Sequence, residues 1–439
     1  MDLETKDRST WQRCHRIARD LYLYKPPPDT TPFTYEPLDT SRRQIRLFRL
    51  GTPVHGILTG ELRHVDLDNH EADDINYWAL SYTWGSSNET ELIMINGKPF
   101  RVRSNLFDFL EIVSEKRWDA FTRDLWIDQL CIDQSTISER NHQVLLMADI
   151  YHSASMVVVW LGVSSNTAHN FILQAQWLSQ PGRKLQDWVK SETTFSGETL
   201  YTLKPNPKVA TFFEHEYWSR LWIVQELILA HDITVYTGVD RISWTDLTRF
   251  VNDVREIRDL NPGKVFHDFG QHHVPPHADF LLSMAMTGRN STSLFQAVQR
   301  LHYNRCYDAR DKIYGLMAIV SSDAGIVVDY SKTAAEVFLD AVQVVMKEIT
   351  IESETAPCTL RIIQNVEDRL STLCYASMKE MLPADLIGGS VRARMKLFQS
   401  MVGEHGRAEW FQALRNGELS QWARKRFEGF LIEQKEVAT

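Results

Sequence analysis

The run Met156-Val157-Val158-Val159-Trp160-Leu161 is the strongest constraint on how this chain folds. It is apolar throughout, rich in β-branched residues, and too short for a core helix. A half-buried strand alternates between apolar and polar residues. A strand apolar at every position is covered on both faces, as the strands of a parallel sheet are. Helical patterns lie on either side of this run. Before it, Val144, Met147, Ala148 and Tyr151 form one apolar stripe, on a helix opened by Ser135 or Ser138.

Other segments repeat this alternation. Gln44 to Leu50 (QIRLFRL) has the period of a half-buried strand, and Tyr77 to Tyr82 (YWALSY) is a short apolar run ending in the turn-rich Thr83-Trp84-Gly85-Ser86-Ser87-Asn88. Glu91 to Ile95 and Lys98 to Val102 flank Asn96-Gly97, a strong two-residue hairpin signal because both positions tolerate positive φ. Asn105 is a candidate N-cap for a helix carrying Leu106, Phe109, Leu110 and Val113. Asp124 to Asp128 and Ile233 to Tyr236 read as strands, and Ser243 as the cap of a helix over Trp244 to Val254.

Strand–helix alternation with short connections predicts an α/β domain: a parallel sheet flanked by helices. Ligands of such sheets gather beyond the carboxyl ends of the strands. That places Ser81 to Asn88, Asp128 to Gln134 and the loop after Leu161 on one rim. We expect three parts: an N-terminal extension over 1–44, the α/β domain over 45–238 with a polar insertion at 164–208, and a mainly helical region over 239–439. The extension holds an amphipathic pattern, Trp11 to Tyr24, stopped by Lys25-Pro26-Pro27-Pro28. In the last part Asp308 caps Ala309 to Val320, a helix runs through Ala334 to Met346, and Val391 to Gln434 is amphipathic.

Composition excludes several roles. A hydrophobic share of 43% belongs to a globular chain rather than a disordered one. The net charge of −9 argues against nucleic acid as the partner, since that surface needs clustered basic charge. No apolar run approaches the length of a membrane span, and no signal-peptide pattern opens the sequence. Cys14, Cys131, Cys306, Cys358 and Cys374 show no paired spacing, which fits a reducing cytoplasm and neither a disulfide framework nor a zinc site. His267, His272, His273 and His277 fall in a proline-containing loop without a completing ligand pattern, so no metal is expected. Phosphate-loop, dinucleotide-loop, nucleophile-elbow and zincin patterns are absent.

What remains is a carboxylate and a rim. In Tyr217 to Ala230 the helix from Leu221 onward has no polar face, so it is buried and carries Gln225 and Glu226 inside with it. A buried carboxylate either pairs with a basic residue to hold the fold or lines a cleft and does chemistry. Ser81, Tyr82, Thr83, Trp84 and Gly85 place hydroxyls and backbone N–H groups beyond a strand end, suited to phosphate or ribose. Asp128 stands at a strand terminus, Asp133 ahead of a helix, and Arg140 in that helix's first turn, a candidate partner for Asp128, Asp133 or Glu226.

These same strings resemble successive blocks of the fungal heterokaryon-incompatibility (HET) domain. They are Tyr77-Trp-Ala-Leu-Ser-Tyr-Thr-Trp-Gly85, Leu125-Trp-Ile-Asp-Gln-Leu-Cys-Ile-Asp-Gln134, Glu139-Arg140, Val158-Val-Trp-Leu-Gly162 and Tyr217-Trp-Ser-Arg-Leu-Trp-Ile-Val-Gln-Glu-Leu227. Asp308-Ala-Arg-Asp-Lys-Ile-Tyr-Gly-Leu316 and Asp329-Tyr330-Ser331 are similar to the helical region that often follows it. The resemblance implies a cytoplasmic effector whose activation triggers cell death on non-self recognition. HET domains in turn resemble Toll/interleukin-1 receptor (TIR) domains, flavodoxin-like folds of which some cleave NAD.

By that likeness Glu226 occupies the place of the catalytic glutamate, with NAD or a related nucleotide as substrate rather than cofactor. Trp222, one turn earlier, would stack on the nicotinamide. One carboxylate is enough for this chemistry. The leaving group is already cationic, and only the oxocarbenium-like ribose needs negative charge beside it. The other implied role is a non-enzymatic signalling module, a homo-oligomer on activation.

Overall fold

The computed structural model describes residues 31–68, 75–116, 118, 122–180, 182–184, 187, 189–193, 199–203, 209–259, 265–266, 274–275, 278–279, 281–282, 292–320, 325–355 and 425. The helix expected over Trp11 to Tyr24, the four loop histidines, and Val391 to Gln434 apart from Lys425 lie outside them. The chain divides into two compact units. The first takes Met1–Gln134, His152–Tyr217 and Ala230–Pro275; the second takes Ser135–Tyr151, Trp218–Leu229 and Pro276–Thr439.

The strands all belong to the first unit. In chain order they are β1 (Gln44–Leu50), β2 (Thr59–Asp66), β3 (Tyr77–Tyr82), β4 (Thr90–Ile95), β5 (Lys98–Arg103), β6 (Asp124–Trp126) and β7 (Met156–Trp160). There follow β8 (Val189–Thr193), β9 (Thr199–Leu203), β10 (Ile233–Thr237), β11 (Asp240–Ser243) and β12 (Val265–Phe266). Nine of them form one sheet in the order β11-β10-β7-β3-β6-β1-β2-β4-β5, and β12-β9-β8 form a small second sheet.

The large sheet is mixed rather than parallel throughout. Its centre, β6-β3-β7-β10, is parallel, with Trp78 opposite Met156, Tyr77 opposite Asp124 and Ile233 opposite Val157. Antiparallel pairs flank this centre: β11 on one side, and β1 with β2, then β4 with β5, on the other. Length explains the difference. Parallel strands need long crossovers, whereas the short connections at 51–58, 96–97 and 238–239 permit only hairpins. The Asn96-Gly97 turn has φ of +50° and +75°, as its residue types require.

Val157 to Trp160 are buried, and β7 lies between β3 and β10, as a run without alternation demands. From β3 the first connection leads to β6 on one side, while β7 and β10 lie on the other. The direction of winding therefore reverses between β3 and β7, and ligands of such sheets gather beyond the carboxyl ends at a reversal of this kind.

The helices are α1 (Ser104–Lys116), α2 (Asp128–Cys131), α3 (Ile137–Ser153), α4 (Asn166–Leu178), α5 (Val209–Phe213), α6 (Ile223–Ile228), α7 (Trp244–Asp259), α8 (Leu294–Leu301), α9 (Asp311–Tyr314) and α10 (Ala334–Thr355). Ser243 caps α7, its Oγ accepting from Asp246 N at 3.1 Å. The 164–208 stretch is not merely polar loop, for it holds α4, whose Phe171 stacks on Phe212 of α5 at 4.0 Å and meets Phe250 of α7 edge-on at 5.2 Å. The 217–230 segment is α-helical only from Ile223; Glu216–Ser219 is a 3-10 turn, and Arg220 bridges to Arg305 in the second unit. The helix expected over Ala309 to Val320 shortens to α9.

Asp124, at the start of β6, is 3% exposed and takes Arg49 Nε at 2.7 Å and Arg63 Nη2 at 2.5 Å. Those two guanidiniums tie the β1–β2 hairpin to the parallel centre. Within that hairpin, a Cβ added to Gly60 would meet the Phe48 ring at 2.2 Å and the Arg49 carbonyl at 2.9 Å. Gly60→Ala should therefore lower folding stability by about 1–3 kcal/mol. The denaturant midpoint measures this, and an unchanged midpoint would mean the Phe48 ring moves aside freely.

Candidate functional site

The carboxyl-end rim of the first unit is built by side chains that close the strand ends. Ser81 and Tyr82 are each 1% exposed and Thr83 is 8% exposed, so their hydroxyls are interior groups rather than an open cradle. Ser81 Oγ lies 2.6 Å from the Tyr217 hydroxyl, and the Tyr82 hydroxyl reaches Gln129 Oε1 at 3.4 Å. Openness begins at Trp84, which is half-buried, and Gly85 with the following serines is exposed. Gly85 sits at φ +71°, a conformation that favours glycine.

Trp84 Nε1 donates to Asp128 Oδ2 at 2.6 Å, joining the end of β3 to the end of β6. The other Asp128 oxygen accepts from Gln129 N at 2.7 Å, in the first turn of α2. Asp128 thus braces an aromatic ring at the rim. Asp133 lies in the connection between α2 and α3 and is partly buried.

Asn105 proves more central than its local pattern implied. It is the second residue of α1, not its cap, and its side-chain amide reaches into the sheet. Its Nδ2 donates to Thr83 O at 2.6 Å, and its Oδ1 accepts from Trp160 Nε1 at 3.0 Å. The ends of β3 and β7 are thereby clamped where the winding reverses. Gly162, at φ +86°, would bring an added Cβ to 3.4 Å from the same Asn105 oxygen.

The remaining candidates, Arg140, Trp222 and Glu226, belong to the second unit. Glu226 is 3% exposed in α6, whose residues are all buried, and neighbouring groups engage it. Trp222 precedes α6, and its carbonyl accepts from Glu226 N at 3.4 Å. Its indole Nε1 donates to Asp311 Oδ2 at 2.9 Å, while the Tyr330 hydroxyl donates to Asp311 Oδ1 at 2.6 Å. The Arg140 guanidinium stacks 4.2 Å from the Tyr330 ring centroid. Beside it Asn141 Oδ1 accepts from Tyr330 N at 3.0 Å.

Arg310 completes this cluster. It forks onto Asp308 at 2.8 and 2.5 Å, and its Nη1 donates to Tyr330 O at 2.6 Å and Lys332 O at 2.9 Å. Lys312 Nζ is buried and donates to His302 O at 3.1 Å and Asn304 O at 2.5 Å. Two carboxylates three residues apart are driven in opposite directions. Burial alone would push the Asp308 carboxyl up, but the hydrogen bonds of Arg310 together outweigh it and hold the group below its usual range. Asp311 is desolvated with neutral donors only, and burial pushes it up to about 6. Burial first, then the charge of Asp311, raises the Tyr330 phenol, which keeps it a donor.

The candidate residues therefore fall into two sets, one in each unit. Local pattern pointed to Trp84, Asp128, Trp222 and Glu226, but not to Asn105, Tyr217, Asp311 or Tyr330, which hold the strand ends and Trp222 in place. Only the Asp308-Ala-Arg-Asp311 string and Asp329-Tyr330-Ser331 carried a signal for the latter. Among the described residues no group of three or more His, Cys, Asp and Glu is placed to hold a metal ion. No helix among them is long and apolar enough to cross a membrane.

Comparison with known proteins covers the strings of the first set and, in the second, those of Arg140, Trp222 and Glu226. The heterokaryon incompatibility protein (HET) family matches residues 77–226, from the first residue of β3 to Glu226. A similar curated protein is Heterokaryon incompatibility protein 6, OR allele, of Neurospora crassa. It is 30% identical over 203 residues, covering 38% of this chain and 29% of that protein. The chain thus matches less than a third of that relative's length. No solved structure matches.

Asp311 gives the second unit a testable pH dependence. Its carboxyl rises from 3.8 to about 6 on folding, so between those values the folded chain holds a proton that the unfolded chain releases. Its contribution is fully present below the lower value and is lost as pH rises through the upper one. Denaturant titrations between these pH values should show the stability of the wild type falling relative to Asp311→Asn. Parallel curves would remove Asp311 as the source.

Proposed function

The chain carries a heterokaryon-incompatibility (HET) domain, and from that premise we propose that it is a cytoplasmic effector of non-self recognition. In this reading residues 45–238 form the HET domain and its output is cell death. The finer proposal is a TIR-like NAD glycohydrolase with Glu226 as the catalytic carboxylate. The observation that carries it is the parallel centre β6-β3-β7-β10. Numbered along the chain, its strands stand in the order 2-1-3-4, that of flavodoxin-like sheets, which bind ligands at the point of reversal.

Beside that point, where the end of β3 meets that of β6, the rim offers a half-exposed tryptophan braced by an aspartate and an open glycine–serine turn, groups suited to a nucleotide. The match to the HET family ends on Glu226, and a low-dielectric surrounding strengthens its charge toward an oxocarbenium-like ribose. In this mechanism Glu226 stabilises the ribosyl cation as nicotinamide leaves with the bonding electron pair. Water then adds to the anomeric carbon and loses a proton.

A second reading has its own support. Trp222 gives its indole N–H to Asp311, and Glu226 is buried with every residue of α6 and engaged by neighbouring groups, as fold-holding residues are. In that case the chain signals by homotypic assembly without turnover.

One experiment separates the two. The purified full-length chain, dilute and self-assembled, is incubated with NAD while nicotinamide release is followed. The enzymatic reading expects release, slowed by about 10²-fold or more in a folded Glu226→Gln variant. Turnover unaffected by that substitution would overturn the role of Glu226. No release from any assembled form, with toxicity retained by folded Glu226→Gln, would leave the assembly reading.

A further inference from the structure

Arg103 is the last residue of β5, an edge strand, and it stands beside the rim without being part of any motif. Its Nη1 donates to Gly85 O at 2.9 Å, and its guanidinium carbon lies 4.7 Å from the centroid of the Trp84 ring. Trp84 is in turn held by Asp128. The guanidinium is therefore fixed at one nitrogen and across one face. Nε and Nη2 have no hydrogen-bond partner among the described residues, and no carboxylate there lies within 4.0 Å of Arg103.

In a chain of net charge −9, an arginine fixed in place with no acid partner among the described residues presents an uncompensated positive charge at the rim. What surrounds it selects the chemistry. Ser86 and Ser87 are exposed beside Gly85, adding hydroxyl donors, and Arg101, on the same face of β5, adds a second exposed positive charge. The first turn of α1, which begins at the next residue, holds no acidic side chain.

We propose that Arg103, with the Trp84 to Ser87 turn, forms a phosphate subsite on the rim that takes the pyrophosphate of a dinucleotide. A planar fork with two free donors matches two phosphate oxygens, and stacking on Trp84 leaves little side-chain freedom to be lost on binding. The proposal rests on the nucleotide reading of the rim and names Arg103 as the residue that separates phosphorylated ligands from bare nucleosides.

The test is calorimetric titration of the full chain with ADP-ribose and with nicotinamide riboside, which lacks the pyrophosphate. Arg103→Ala should weaken ADP-ribose binding by about tenfold or more and leave nicotinamide riboside unchanged. Arg103→Gln, which keeps a donor near Gly85 O without the charge, should behave the same way should the alanine variant melt early. In the wild type, inorganic pyrophosphate should compete with ADP-ribose. Equal ADP-ribose binding by folded wild type and variant would overturn the subsite while the nucleotide reading stands, as would loss of both ligands alike or failure of pyrophosphate to compete. A wild type that binds neither ligand would overturn both.

Discussion

Asn105 commits both ends of its side-chain amide to the two central parallel strands, one to a Thr83 carbonyl and the other to the Trp160 indole. Parallel sheets leave unpaired carbonyls and bulky aromatic donors where their strands end, and those groups must be satisfied before the ends can lie dry. A carboxamide carries its donor and its acceptor on separate atoms, so one side chain can donate to one strand and accept from the next. Because both glycines beside it, Gly85 and Gly162, turn at positive φ, the chain leaves each strand at once and keeps the rim short. The placement of Trp84, Asp128 and Arg103 follows from that geometry.

The second unit solves a different problem with carboxylates. Asp308 and Asp311 are neighbours in sequence, yet one meets a guanidinium fork and the other only a phenol and an indole. The first is a stable anion. The second is an acid held near its titration point by the cost of desolvation. Tyr330 joins the two environments, with Arg140 and Arg310 near its ring and Asp311 at its hydroxyl. The Asp308 to Gly315 string is thus explained by internal bonding, and its glycine by the close approach of Leu221, 3.3 Å from where a Cβ would sit.

Sequence pattern was informative where structure is local. The β7 run, the Asn96-Gly97 hairpin and the Ser243 cap each follow from a few neighbouring residues, and the rim follows from the strand directions. What pattern missed depends on partners far along the chain. Asn105 carries the residue type and position of a helix cap, and nothing adjacent to it reveals Thr83 or Trp160. The 217–230 segment has helical hydrophobicity throughout, but its first half turns into a 3-10 element, and Ser219 O and Leu221 N pair with Arg305. Asp311 is inconspicuous until Trp222, 89 positions away in sequence, donates to it.

The chain crosses between its compact units after Gln134, Tyr151, Tyr217, Leu229 and Pro275. Most of α3 and all of α6 therefore belong to a unit whose remaining residues lie beyond 275. Neither unit is a contiguous stretch that a protease or a cloning boundary could release. A fragment confined to residues 77–226 would hold portions of both units and the whole of neither. What looks in sequence like a portable module is, in chain connectivity, an interlaced one: the segment that recurs among relatives and the compact units have different borders.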